Sequence, residues 1–177
     1  MKYQIYYIHG FGSSVNSPTV DLFRTYYPGL IALTYDVNDP SKSILALAKQ
    51  INSSDSYPII VGSSLGGWYA EQLTRYVVGD FILYNPAIDP GTTLAKYGVS
   101  KDVLFDYRAV TLMNPLKQVS RTVFLCEDDE VIPADKTAIK YSSIAKIIYT
   151  SGGHRMTPKN MKKIVDHIIY LKNQIVP

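Results

Sequence analysis

Short runs rich in β-branched and aromatic residues alternate along this chain with stretches of helical period, and this alternation restricts the fold more than any other feature. The runs fall at residues 3–8, 30–35, 57–61, 81–84, 122–126 and 146–149. Between them, a helix opened by Ser17-Pro18 puts Val20, Phe23 and Tyr27 on one face. A second, over 41–51, gathers Ile44, Leu47, Ala48 and Ile51. Further helices are predicted at 65–76, 134–141 and 158–173. Strands separated by helices require right-handed crossovers, so the expected architecture is α/β: a mostly parallel sheet in a three-layer α/β/α sandwich. Residues 86–118 carry Pro86, Pro90, Gly91, Gly98 and Pro115 without a clean period, and read as loops with a short helix or two.

A chain of 177 residues suits one domain over 1–177, large enough to bury a core. The formal charge of +3 is spread along the chain, as at Lys136, Lys140, Lys146 and Lys162-Lys163, and gives no basic patch for nucleic acid. The single cysteine, Cys126, rules out an internal disulfide and suits a reducing compartment. The N-terminus reads directly as a strand, and no segment reaches the apolar length of a membrane span, so the expected location is cytoplasmic. The sequence gives no sign of oligomeric state.

In open parallel sheets, functional loops lie beyond the carboxyl ends of the strands. Four loops therefore share one edge: "HGFGSS" after the first strand, "GSSLGG" after the third, "EDDEVIP" after the fifth and "SGGHRM" after the sixth. The second fits G-x-S-x-G. A turn this sharp from strand to helix needs glycine two residues before and after the serine, where side chains would collide with it. Gly62 and Gly66 centre the turn on Ser64, whereas centring on Ser63 would require glycine at Val61 and Leu65. Ser63 is left for local hydrogen bonding. A helix N-terminus at this turn also favours an anionic intermediate.

Serine is a poor nucleophile without a base, and there are three histidines. His167 lies within the closing helix and reads as a surface or boundary residue. His9 ends the first strand, where its backbone neighbours matter more than its ring. His154, after Gly152-Gly153 and before the last helix, is the candidate base. An acid must orient it, and the run Glu127-Asp128-Asp129-Glu130 offers four carboxylates. The oxyanion would rest on the backbone N–H of Leu65 and on that of Phe11, in a loop where Gly10 and Gly12 let the chain approach closely. Phe105, Tyr107, Leu112 and Met113, within 86–118, are candidates for the apolar wall of a partial lid, or for completion of the core.

Competing readings are weaker. "HGFGSSV" begins like G-x-G-x-x-G with Asp36 as a ribose acid, but Val15 occupies the third glycine position and Pro18 starts the helix too late to receive a pyrophosphate. Gly-Lys-Ser/Thr is absent, and no paired His, Cys or carboxylate spacing points to a metal.

The order serine, acid, histidine is that of the α/β-hydrolases. The chain resembles a minimal member of that superfamily, and more closely the YqiA-type small bacterial esterases, through "YIHGFGSS" at 7–14, "VGSSLGGWYA" at 61–70, "NPAIDP" at 85–90, "DDEV" at 128–131 and "GGH" at 152–154. In the superfamily's D-x-V-x-P register the acid stands four residues before a proline, which selects Asp129, before Pro133. The resemblance implies a serine-dependent carboxylic-ester hydrolase with no cofactor, a small-molecule ester as substrate, and an acyl-enzyme formed on Ser64 with His154 and Asp129. Thioester hydrolysis, acyl transfer, or a binding protein that has kept the hydrolase shell are the alternatives. One spacing departs from the family pattern, which has a further residue between the glycine pair and the histidine.

Overall fold

A computed structural model describes residues 2–113 and 119–174. Six strands, β1 (Tyr3–Ile8), β2 (Ile31–Leu33), β3 (Tyr57–Ser63), β4 (Asp80–Tyr84), β5 (Ser120–Cys126) and β6 (Lys146–Thr150), form one sheet. Its order is β2-β1-β3-β4-β5-β6, and every pair is parallel. The helices are α1 (Pro18–Tyr26), α2 (Pro40–Asn52), α3 (Leu65–Leu73), α4 (Pro90–Thr93), α5 (Lys101–Leu112), α6 (Ala134–Tyr141) and α7 (Pro158–Gln174), with a 3₁₀ turn at Leu94–Tyr97.

Both faces of the sheet are covered, and the pleat sorts the side chains between them. Tyr6, Ile8, Ile60, Phe81, Leu83, Val123 and Leu125 pack with α2, α3, α5 and Tyr141 of α6. Their strand neighbours Ile5, Tyr7, Ile59, Val61, Ile82, Phe124 and Cys126 pack with α1 and α7. Burial on both faces explains why the central strands read as continuous apolar runs instead of alternating ones. The three-layer α/β expectation is met.

Three local readings are corrected. The second strand is shorter than expected: β2 pairs with β1 alone, through Ile31, Ala32 and Leu33. Tyr35 leaves the ladder, stacks on His9 with ring centroids 4.9 Å apart, and donates its hydroxyl to the His9 carbonyl at 3.1 Å. The third helix ends at Leu73 instead of Tyr76. Within 86–118, of which residues 114–118 lie outside those described, α5 is a full helix of 12 residues. The Ser100 side chain caps it by accepting the Val103 N–H, and Leu104, Tyr107 and Val110 are its buried face.

Candidate active site

The turn from β3 into α3 places Ser64 at φ 53° and ψ −121°, a backbone conformation L-residues rarely adopt. Such strain costs about 1–3 kcal/mol and persists only where the surroundings impose it. Here they do: the Ser64 N–H donates to the Tyr84 carbonyl at 3.0 Å, and its own carbonyl accepts from Gly67, Trp68 and Ala87 at 2.9, 3.2 and 3.0 Å.

The flanking glycines are needed for a reason that differs from the expected clash with the serine. A Cβ on Gly62 would strike the Gly66 carbonyl and lie 2.6 Å from its carbon, while one on Gly66 would strike the end of β1 at Ile8 and His9. The turn is therefore wedged between its own first helical residues and the neighbouring strand. Ser63 points elsewhere, sharing a 3.0 Å hydrogen bond with the Tyr7 hydroxyl, as local bonding requires. Burial pushes that phenol up to about 12, with the Ser63 bond opposing it.

Ser64 Oγ lies 3.0 Å from His154 Nε2. His154 Nδ1 lies 2.9 and 3.1 Å from Asp129 Oδ2 and Oδ1. The Asp129 side chain is fully shielded from solvent and also accepts the Val131 and Ile132 N–H groups, each at 2.8 Å. Burial pushes its carboxyl up, but hydrogen bonds from His154, Ile132 and Val131, with the charge of His154, outweigh burial and hold the pKa below the usual range. Asp129 is thus an anion facing the imidazole Nδ1, which places the proton there and leaves Nε2 to accept from the serine.

The other carboxylates of the acidic run take different partners. Asp128 accepts the N–H groups of Gly152 and Gly153, which hold its carboxyl below the usual range. Glu130 accepts the His154 N–H at 2.9 Å. Gly10 lies against the serine: a Cβ there would sit 3.2 Å from Ser64 Cβ. The next residue, Phe11, and the first residue of α3, Leu65, have backbone N–H groups with no hydrogen-bond partner among the described residues.

Ser64 and His154 open onto a cleft of ≈ 990 Å³. The β1–α1 loop contributes Phe11, Ser13, Ser14, Asn16 and Ser17, and the segment after β4 contributes Ala87, Ile88, Leu94 and Tyr97. Phe11 and Tyr97 pack across it with ring centroids 5.0 Å apart. Of the four side chains that were candidates for an apolar wall or for the core, none lines the cleft, and Tyr107 takes the core alternative. Tyr107 is wholly buried against Trp68 and Tyr69 of α3, whereas Phe105, Leu112 and Met113 are exposed and do not line the cleft. His167 is likewise more enclosed than a surface residue: its Nε2 is 2.9 Å from Thr122 Oγ1, at the far end of the strands from the serine.

Sequence reasoning missed Asn85, which is completely buried at φ 42° and joins the ends of β4 and β5 to the His154 loop. Its signals were the Asn-Pro pair directly after a strand and its place at the head of the "NPAIDP" segment. Among the described residues no group of three or more His, Cys, Asp or Glu side chains is placed to hold a metal ion. No described helix is long and apolar enough to cross a membrane.

A serine on a strained strand-to-helix turn in the middle of a parallel sheet is the arrangement of the α/β-hydrolase fold, and solved structures bear out the class. The chain matches Est1E from Butyrivibrio proteoclasticus with a TM-score of 0.76, over 98% of this chain and 89% of that one, at 13% identity. It matches mouse alpha/beta hydrolase domain-containing protein 10 with a TM-score of 0.74, over 98% and 90%, at 16% identity. More particularly, the chain belongs to the uncharacterised protein family UPF0227, whose family model covers residues 4–173. A UPF0227 protein of Vibrio vulnificus strain CMCP6 is 24% identical over 95% of this chain and 96% of its own. One from Vibrio parahaemolyticus serotype O3:K6 is 25% identical over 95% and 97%.

Proposed function

We propose that this protein is a serine-dependent carboxylic-ester hydrolase. The observation that carries the reading is the unbroken hydrogen-bonded line from Ser64 Oγ through His154 to the shielded Asp129 carboxylate. In this reading His154 Nε2 takes the Ser64 proton as Oγ attacks the ester carbonyl, and Asp129 stabilises the resulting imidazolium. The oxyanion is received by the N–H groups of Phe11 and Leu65 and by the N-terminal end of α3. His154 then gives its proton to the departing alcohol, leaving an acyl-enzyme. Water, deprotonated by the same nitrogen, releases the acid and restores the serine.

Two relatives in fold support hydrolysis of esters in particular. A Pyrococcus furiosus esterase matches with a TM-score of 0.71 at 14% identity. Est1E has also been solved with ferulic acid bound. The test is labelling of wild type and Ser64→Ala with a fluorophosphonate, paired with turnover of p-nitrophenyl esters of increasing chain length and of a matched thioester. Labelling that disappears in Ser64→Ala, with ester turnover exceeding thioester turnover, is expected. An unlabelled wild type without turnover removes the reading, and label retained in Ser64→Ala moves the nucleophile, with Ser63 the first alternative.

A further inference from the structure

The loop that carries His154 is held almost entirely by side chains from other segments of the chain. From Ser151 to Arg155 its described hydrogen bonds include none to another stretch of backbone. Instead, the N–H groups of Gly152 and Gly153 go to Asp128 and that of His154 goes to Glu130. The Ser151 carbonyl accepts from Asn160 at 2.9 Å and the Arg155 carbonyl from the Tyr84 hydroxyl at 3.3 Å. Between these, the carbonyls of Gly153 and His154 both accept from Asn85 Nδ2, at 3.1 and 3.2 Å.

Among the described residues, Asn85 is the one member of this set whose side chain also bonds the backbone of a strand. Its Oδ1 accepts the Cys126 N–H at 2.8 Å, and its own N–H donates to the Phe124 carbonyl at 3.0 Å. The side chain therefore needs an acceptor on one side and two donors on the other, which an amide of this length supplies and a carboxylate does not. The orientation of the amide follows from the partners: reversing it would set Oδ1 against two carbonyls and Nδ2 against an N–H. No part of the side chain is exposed, so no water compensates for a lost bond. The residue also carries a positive φ, as Ser64 does, at the end of the next strand of the sheet.

We propose that Asn85 is a positioning residue that fixes the His154 imidazole at its distance from Ser64, by fastening the histidine loop to the end of β5, where Asp129 begins its own turn. Asp128 and Glu130 fasten the same loop from the solvent side. Together they account for three of the four carboxylates in the acidic run: Asp129 faces the ring, and its two neighbours hold the backbone that carries the ring. The proposal rests on the serine-hydrolase reading for its kinetic consequence, but not for its geometry.

The test uses two readouts on wild type, Asn85→Ala, Asn85→Asp, Asp128→Ala and Asp128→Asn. One is kcat and KM on a short-chain p-nitrophenyl ester. The other is the NMR signal of the His154 Nδ1 proton, assigned by its loss in His154→Gln. Displacing a reacting group by about 1 Å costs on the order of 100-fold. Asn85→Ala should therefore lose about that much in kcat with KM little changed, and the Nδ1 proton signal should shift or broaden. Asp128→Ala should move both readouts in the same direction, and Asp128→Asn, which retains an acceptor, should recover most of the loss. Folded Asn85→Ala with unaltered kcat and an unaltered Nδ1 signal overturns the proposal. If Asn85→Ala does not fold, the near-isosteric Asn85→Asp, which keeps the acceptor for the Cys126 N–H and loses the paired donors to Gly153 and His154, decides by the same readouts. A wild type without turnover would remove the esterase reading, leaving the NMR readout to decide the positioning role.

Discussion

Replacing Gly62 with alanine should damage reactivity far more than stability. An alanine Cβ at this position would lie 2.6 Å from the Gly66 carbon and 2.9 Å from Gly67 Cα, all backbone, where ordinary contact begins at 3.4 Å. The two segments must therefore part by about 1 Å, and Ser64 lies between them. Overpacking costs about 1–3 kcal/mol, while removing a glycine restricts the unfolded chain and returns about 0.4–1 kcal/mol. The net loss of roughly 1–2 kcal/mol corresponds to a fall in Tm of about 2–8 °C for a chain of this size. The same 1 Å, applied to the distance from Ser64 to His154, costs on the order of 100-fold in the rate of fluorophosphonate labelling. Gly98→Ala is the control. Gly98 has φ +79° with open space around it, so alanine there is strained but displaces nothing at the serine. Circular dichroism melts and labelling rates for both variants give the comparison. If Gly62→Ala slows labelling no more than Gly98→Ala at similar Tm, the account of the turn is wrong.

Asp129→Asn keeps the acceptor for Val131 and Ile132 but removes the anion facing Nδ1, and should lower kcat by about 10⁴-fold with the fold intact by circular dichroism. Tyr97→Ala should slow turnover by several-fold with little change in Tm, because it removes an aromatic pair worth about 0.5–1.5 kcal/mol that steadies Phe11; unchanged kcat would separate that pair from the oxyanion loop. Tyr107→Phe deletes the hydroxyl that meets Tyr69 at 3.0 Å and the Val37 carbonyl at 3.1 Å, and urea unfolding should show a loss of about 1–3 kcal/mol. Burial, followed by the charge of Lys146, holds the His167 pKa below its ordinary value. Folded His167 thus binds its proton less readily than unfolded His167, so its contribution is complete above about pH 6.5 and is lost as pH falls toward the folded value. Urea midpoints of His167→Gln should be flatter than wild type between about pH 7 and pH 5, and equal slopes would count against this.

Much of this was legible because it is local or periodic. The apolar runs at 3–8, 57–61 and 81–84 report strands buried on both faces, and strand-helix alternation requires parallel crossovers. The placement of Ser64 followed from glycine spacing, which depends on backbone clearance within a few residues. What stayed hidden depends on contacts between distant loops. The apolar spacing of Leu104, Tyr107 and Val110 was present, but Gly98 and the prolines around it masked a helix whose cap, Ser100, was equally visible. The exposed face of α5, with Phe105 and Leu112, looks like a lid in sequence because periodicity does not say which face meets the cleft. Asn85 stands in a recognisable segment, "NPAIDP", but its role stayed hidden, since its partners at Cys126, Gly153 and His154 converge only when the ends of β4 and β5 and the His154 loop come together.

The sheet order also imposes a timetable on synthesis. In a chain growing from its N-terminus, Ser64 and the strands that flank it are complete long before β6 and the loop behind it exist. Domains tend to fold as units during synthesis, and here the edge that completes the unit is also the one that delivers the imidazole. A growing chain therefore carries its serine in a chemically mute form, and in this reading it becomes able to attack an ester only after the sheet has gained its last strand.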